Sequence, residues 1–579
     1  MQRRVTLPCH AEITIANHHL LMEMNGNEIR FAYGGLSNDP LGDGFPLFSY
    51  DYHIEPNAQL YGDGFQMSSQ VIGTLNHLRV LGNYPDNGSL MRIYPSSATQ
   101  RFYNYLIIGD SLGYTLLGFT SCHRFSGYFE VVEQNGRHQI RAYLNGENSL
   151  PRDWTTFQLE SVVILKSVEL NALYDQFIGY IHQHHAPRAS VQQGSPVGWS
   201  SFQSQTASTD AHTILTNLKQ LHQQALGLEY VLIEQGYQVA LGDWIGSAES
   251  FGAELMSIVD DIRSIGRKPA IWIAPFVASP NSAVFKHHPD WFVHNQNGKP
   301  MRADEVTYSG LDGKPCYLLD TTNVDVQEHL FEVIRFLRRE LGIEMFKVDG
   351  AYRGCVQGER QITGISTIEA YRIGLEVINE AAEGAFVLLS RAPLWPSLGL
   401  ADGMRVCDLA VRDARQFESN TLMTLLRSWQ HRRLWHIDPE RLVLTSLANQ
   451  GCERRYYDFH RTCLLASGGL LFSGDPLDDI TPYAQESIKR LIMRYRHTQV
   501  AASFSSLTLS HAMLALTPQN DLHCLFNYHQ TTRDVMLTAN HPVDWYDYWS
   551  GEKLNHTATQ ALEVTLKAGI FARAIVTVG

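Results

Sequence analysis

The feature that most constrains this chain is a grammar repeated four times between residues 211 and 390. Each repeat is an amphipathic stretch, a glycine, then a short apolar run. Ile214, Leu218, Leu221 and Ala225 share one helical face; Gly227 ends it and LEYVLI (228–233) follows. Leu255, Ile258, Val259 and Ile262 share the next, with Gly266 and AIWIAPF (270–276) behind it. Leu330, Val333, Leu337 and Leu341 lead through Gly342 to IEMFKVD (343–349). Ile368, Tyr371, Leu375 and Ile378 lead through Gly384 to AFVLLS (385–390). Apolar residues three and four apart predict helices, and the glycine past each predicts a left-handed cap. Largely apolar runs predict strands of a parallel sheet covered by helices. Such units fit a (β/α)8 barrel of the TIM type, over residues 197–500. A doubly wound sheet is the alternative, but no glycine-rich phosphate loop follows the first strand.

Both flanks read as β. Over residues 1–181, short runs such as RVTLP, HAEITIA and YLIIGD alternate with the turn signals NGNE, GDG and PDNGS. That predicts an N-terminal β-sandwich. The polar stretch 182–196, with two prolines, reads as a linker. From 501 to 579, runs such as SLTLS, MLALT and HCLFNY predict a small C-terminal β-sandwich. Apolar residues make up 44% of the 579 and charged residues only 18%, which excludes disorder as the main state. The net charge of −13 argues against nucleic acid as the main partner. No apolar run is long enough to span a membrane. The eight cysteines are scattered without a CxxC, so neither a zinc or redox motif nor a disulfide scaffold is expected. With no signal-peptide-like apolar run at the N-terminus, the expected setting is soluble and cytoplasmic. His287–His288 and the run His182, His184, His185 lack metal-ligand spacing, and no metal or cofactor is expected.

Functional residues of such a barrel stand at the C-terminal ends of its strands. There the sequence places Glu234 and Gln235, Lys347 and Asp349, and Ser390 and Arg391, then Arg405, Asp408 and Asp413. Lys347 and Asp349 alternate along one strand and so share a face. A carboxylate beside a lysine stays ionised, as a nucleophile requires; a structural salt bridge is the competing reading. Asp408 lies 59 residues further on. Two carboxylates across a barrel mouth are the parts of a glycosidase.

Eight segments together resemble the glycoside hydrolase family 36 α-galactosidases, in particular their compact bacterial or thermophile type. They are GWSSF (198–202), GDW (242–244), IWIAPF (271–276), HPDWFV (288–293), YLLD (317–320), FKVDG (346–350), GER (358–360) and DGMR (402–405). The resemblance implies an oligosaccharide or glycoside substrate and a retaining mechanism with a covalent glycosyl-enzyme. It implies Asp349 as nucleophile, Lys347 on sugar hydroxyls, Arg405 as a pocket arginine and Phe202 as an aromatic wall for the sugar.

Three departures from the family pattern bear on specificity. Glu234-Gln235 stands where the family has an Asp-Asp pair for the sugar 4- and 6-hydroxyls. Ser390-Arg391 replaces a Cys-Gly near the sugar 2-position. Arg391 then either meets an anionic group or pairs with Glu234 or another acid. The acid/base motif reads MRVCDLAVR, which puts Asp408 on the acid/base if one residue is deleted and leaves Asp413 as the alternative. The expected function is a retaining α-glycosidase on galactose-like sugars, its specificity shifted toward a substituted or acidic sugar. The alternative is a catalytically impaired, carbohydrate-binding relative.

Overall fold

The computed structural model describes residues 3–34, 40–134, 136–149, 157–202, 209–224, 226–306, 315–448 and 450–579. Ala225, expected on a helical face, lies outside them. The chain divides into two compact units. One comprises residues 1–188, 238–248 and 272–402; the other comprises 189–237, 249–271 and 403–579.

The first unit opens with an antiparallel sheet, thirteen-stranded among the described residues, from Arg3–Thr6 to Phe157–Ser167. Its last strand pairs with Gly113–Phe119 on one side and Glu28–Tyr33 on the other. Val162 to Leu165 are consequently all buried rather than alternating. The sheet is followed by a helix, Leu170–His184, within a region the sequence reads largely as β. Leu170, Leu173, Tyr174, Phe177, Ile178 and Ile181 are its buried residues, at helical spacing. The helix fits closely because the sheet offers a glycine: a Cβ on Gly118 would lie 2.4 Å from the Phe177 ring. Residues 182–184 end this helix, and a 3-10 turn occupies Ala189–Gln192.

The same unit holds two of the anticipated strands, Met345–Asp349 and Phe386–Ser390, paired in parallel with Asp349 opposite Ser390. Helix Val324–Arg339 precedes the first and Thr367–Ala381 the second. A capping box starts the latter: Ser366 Oγ accepts from Glu369 N–H while the Glu369 carboxylate accepts from Ser366 N–H. Beyond Ser390 the chain runs against the N-terminal sheet. Leu394 N–H donates to Phe65 O at 3.0 Å, and the Trp395 indole donates to Phe119 O at 2.7 Å.

In the second unit, Val197–Ser200 pairs in parallel with Tyr230–Ile233 and with Leu471–Ser473. Tyr230–Ile233 pairs in parallel with the start of the strand Lys268–Ile273. Gly403–Arg405 pairs in parallel with His436–Asp438. Helices Ala211–Gln224 and Leu255–Ser264 bury the residues their spacing predicts. The four glycines that follow the anticipated helices all have positive φ, from 71° to 81°. A six-stranded antiparallel sheet closes the chain, around Leu525, Leu537, Val543, Trp545, Val564 and Ile575.

Candidate active site

In the first unit, the end of strand Met345–Asp349 gathers Lys347, Asp349, Ser390 and Arg391. Asp349 is buried, and its carboxylate receives four donors. Arg391 Nε (2.9 Å) and Gly350 N–H (2.9 Å) bond Oδ1. Arg391 Nη2 and Trp272 Nε1–H (3.0 Å) bond Oδ2. A carboxylate offers about four lone-pair directions, so Asp349 is saturated. Burial alone would push its carboxyl up. The Arg391 guanidinium, with Lys347 and the Trp272 indole, overrides that and holds it far below the usual carboxylate range. These donors favour the ionised form of Asp349, with Arg391 contributing more than Lys347.

Arg391 itself is the unexpected part. It is half-buried and stands at φ 47°, a left-handed conformation that costs a residue with a Cβ about 1–2 kcal/mol. Its carbonyl accepts Tyr352 N–H at 2.9 Å. Of the two readings the sequence leaves open, the structure supports pairing with an acid, and that acid is Asp349. Ser390 is fully buried behind it. Arg353, in the turn after Asp349, is 1% exposed, and its Nε, Nη1 and Nη2 have no hydrogen-bond partner. A Cβ on Gly350 would lie 2.2 Å from Arg353 Nη1, so the guanidinium lies against the backbone next to Asp349.

The second unit carries the other anticipated residues. Glu234 is buried at the end of strand Tyr230–Ile233 and accepts Ser200 Oγ–H at 2.9 Å. Gln235 follows it, half-buried, its carbonyl accepting Thr209 N–H at 3.0 Å. Phe202 has the Arg441 guanidinium 4.1 Å from its ring centroid, and Arg441 Nη1 donates to its carbonyl at 2.8 Å. One face of the expected aromatic wall is thus already stacked by a cation. Arg405 is buried, its Nη2 3.4 Å from Glu440 Oε1 and its Nε donating to Cys407 O. Glu440 also accepts Arg441 Nε and Ala410 N–H. Like Arg391 it stands in the left-handed region, at φ 67°. Asp408 is buried, its carbonyl accepting Asn420 Nδ2–H. Asp413 is exposed, and its Oδ1 accepts Arg415 and Gln416 N–H, capping the helix Ala414–Leu426.

Trp272, Arg353, Glu440 and Arg441 escape a sequence reading. Trp272 lies inside a quoted motif, but nothing there marks its indole as a donor to Asp349. The other three have no motif around them. No group of three or more metal-ligating side chains occurs among the described residues.

Comparison with known proteins places this geometry. Residues 156–381 match the family described as Melibiase, a stretch that includes Lys347 and Asp349 but ends before Arg391. The chain is 26% identical over 202 residues to the bifunctional α-galactosidase/sucrose kinase AgaSK of Mediterraneibacter gnavus. It is 22% identical over 243 residues to an α-galactosidase of Escherichia coli. The matched stretches are 34% and 40% of this chain and only 20% and 32% of those relatives. Among solved structures, the α-galactosidase TtGalA of Thermus thermophilus, in complex with p-nitrophenyl α-D-galactopyranoside, superposes with a TM-score of 0.66 at 19% identity. That match covers 90% of this chain and 97% of TtGalA. The family 36 α-galactosidase AgaA of Geobacillus stearothermophilus gives 0.63 at 14% identity, covering 98% and 82%. The fold is that of these glycoside hydrolases: an N-terminal β-domain, a central β/α barrel and a C-terminal β-domain. The chain is thus similar to the α-galactosidases of glycoside hydrolase family 36 in fold and in the Melibiase-matching stretch.

Proposed function

We propose that the protein is a retaining α-glycosidase acting on terminal α-linked galactose-like sugars of oligosaccharides or glycosides. The observation that carries this reading is Asp349: an ionised carboxylate at the end of a barrel strand, within the Melibiase-matching stretch, beside Lys347. In this reading Asp349 attacks C1 and forms a glycosyl ester while Asp408 protonates the leaving oxygen. Asp408 then takes a proton from the water that releases the sugar. Asp408 is preferred to Asp413 because Asp413 is spent on a helix cap. Phe202, Glu234, Gln235, Lys347, Ser390, Arg391 and Arg405 bind the sugar in this reading. Glu234-Gln235 and Arg391 shift its specificity away from plain galactose.

One observation favours a second reading, a carbohydrate-binding relative without turnover: every acceptor direction of Asp349 is occupied. The test is a fluorinated glycosyl donor followed by peptide mapping, together with Asp349→Ala and Asp408→Ala kinetics. Label on Asp349 and a loss of at least about a thousandfold in Asp349→Ala are expected. Asp408→Ala should lose about a hundredfold more on unactivated glycosides than on nitrophenyl glycosides, which need little acid help. Full activity in Asp349→Ala would overturn the assignment.

A further inference from the structure

The same four hydrogen bonds pose a chemical problem. Attack on C1 needs a free lone pair on Asp349, and none is free. Gly350 N–H is backbone, and the Trp272 indole belongs to a side chain that is 2% exposed. Arg391 is different: its side chain is 22% exposed against 6% for that of Asp349, so a ligand can reach the guanidinium. An uncharged hydroxyl is a poor exchange for a bidentate, charge-assisted pair. A carboxylate or sulfate matches the guanidinium fork as well as Asp349 does.

We propose that Arg391 is a latch on Asp349 that the substrate's own anionic group opens. The site takes an α-galactoside-like sugar bearing a carboxylate or sulfate, and that group draws the guanidinium away from the nucleophile. This rests on the reading that Asp349 is the nucleophile. Once released, an Asp349 oxygen bonds to C1 as the C1–O bond to the leaving group breaks, and the leaving oxygen takes the Asp408 proton. Water then attacks C1, gives a proton to Asp408 and frees the Asp349 carboxylate, to which Arg391 returns. A second observation points to the same ligand chemistry. Arg353 lies buried against Gly350, stacked on the Tyr352 ring and with no hydrogen-bond partner on its guanidinium, so its charge adds to a positive field at this strand end that favours an anionic ligand over a neutral one.

The test compares wild type with Arg391→Gly on four 4-nitrophenyl α-galactosides: unsubstituted, 2-sulfate, 6-sulfate and the galacturonide. Glycine is at home at φ 47°, so this variant keeps the backbone. Wild type is expected to favour one anionic member over the unsubstituted one by at least about tenfold in kcat/KM, and Arg391→Gly to reverse that order. An uncharged fluorinated donor should label Asp349 faster in Arg391→Gly than in wild type. Arg391→Lys keeps the charge and loses the fork, and should give up most of the preference. Wild type hydrolysing the unsubstituted galactoside as well as every anionic one overturns the latch. So does a preference that Arg391→Gly leaves unchanged, or an Arg391→Lys variant identical to wild type. If neither wild type nor Arg391→Gly is labelled or turns over any of the four, the glycosidase reading itself fails, and the latch with it.

Discussion

Arg353 carries a full charge into the interior with no hydrogen bond to its guanidinium. Unpaired buried charges are destabilising, and apolar side chains of similar volume relieve that. Arg353→Met is therefore expected to raise the unfolding midpoint, with a gain of about 1–3 kcal/mol, measured by denaturant or thermal unfolding. A loss of stability would mean that the stacking of Arg353 on the Tyr352 ring, 5.1 Å away, outweighs desolvation. At this scale the sequence is legible only where chemistry follows from local alternation. Lys347 and Asp349 share a strand face because they are two residues apart, and their pairing in one site follows. The grip of Arg391 on Asp349 depends on a left-handed turn 42 residues later, which strand periodicity does not encode. The stack of Arg441 on Phe202 joins residues 239 apart, and no local pattern marks either end.

At the level of elements, most of the architecture is legible. Apolar spacing locates helices Ala211–Gln224, Leu255–Ser264, Val324–Arg339 and Thr367–Ala381, because each buries one stripe. The helix Leu170–His184 is the instructive exception. Its buried stripe is as regular as the others, but it follows a long β region and has neither a side-chain N-cap bond nor a C-terminal glycine. Without punctuation, the period alone did not separate it from the strands before it. Asp413 shows the converse: a carboxylate in a suggestive stretch whose job is punctuation. Asp413→Ala is expected to cost about 1 kcal/mol in unfolding experiments, as other lost N-caps do. It should leave the ratio of rates on unactivated and nitrophenyl glycosides unchanged. A shifted ratio would return Asp413 to the role of proton donor.

For the whole molecule, the titration of buried groups sets how stability depends on pH. Burial, the largest cause in each case, lowers the imidazole pKa of seven histidines: His123, His185, His329, His431, His460, His511 and His523. His460 and His523 fall to about 4 and His185 to about 2. These rings are neutral in the fold and protonate near ~6.5 when unfolded, so stability is lost as pH drops below that value. Burial acts in the opposite direction through Asp475, whose carboxyl it raises, and through Asp86 and Glu147, whose carboxyls it pushes up to about 7. They hold protons in the fold that the unfolded chain releases near ~4, so their contribution falls as pH rises from there to neutrality. Seven groups oppose three, and the unfolding midpoint is expected to be higher at pH 6.5 than at pH 4.5; a flat or inverted profile would give the carboxyls the larger share. Asp349, held far below the usual range, stays charged across this interval.

The contact between the N-terminal sheet and the segment after Arg391 reaches beyond stability. Phe65 and Phe119 offer their carbonyls to Leu394 and Trp395, and Trp395 packs 5.4 Å from Tyr105. Residues more than 270 positions apart in the chain are thereby tied together. The segment leaving Arg391 is therefore anchored on the N-terminal sheet, so the strand end that holds Asp349 and that sheet form one mechanical piece.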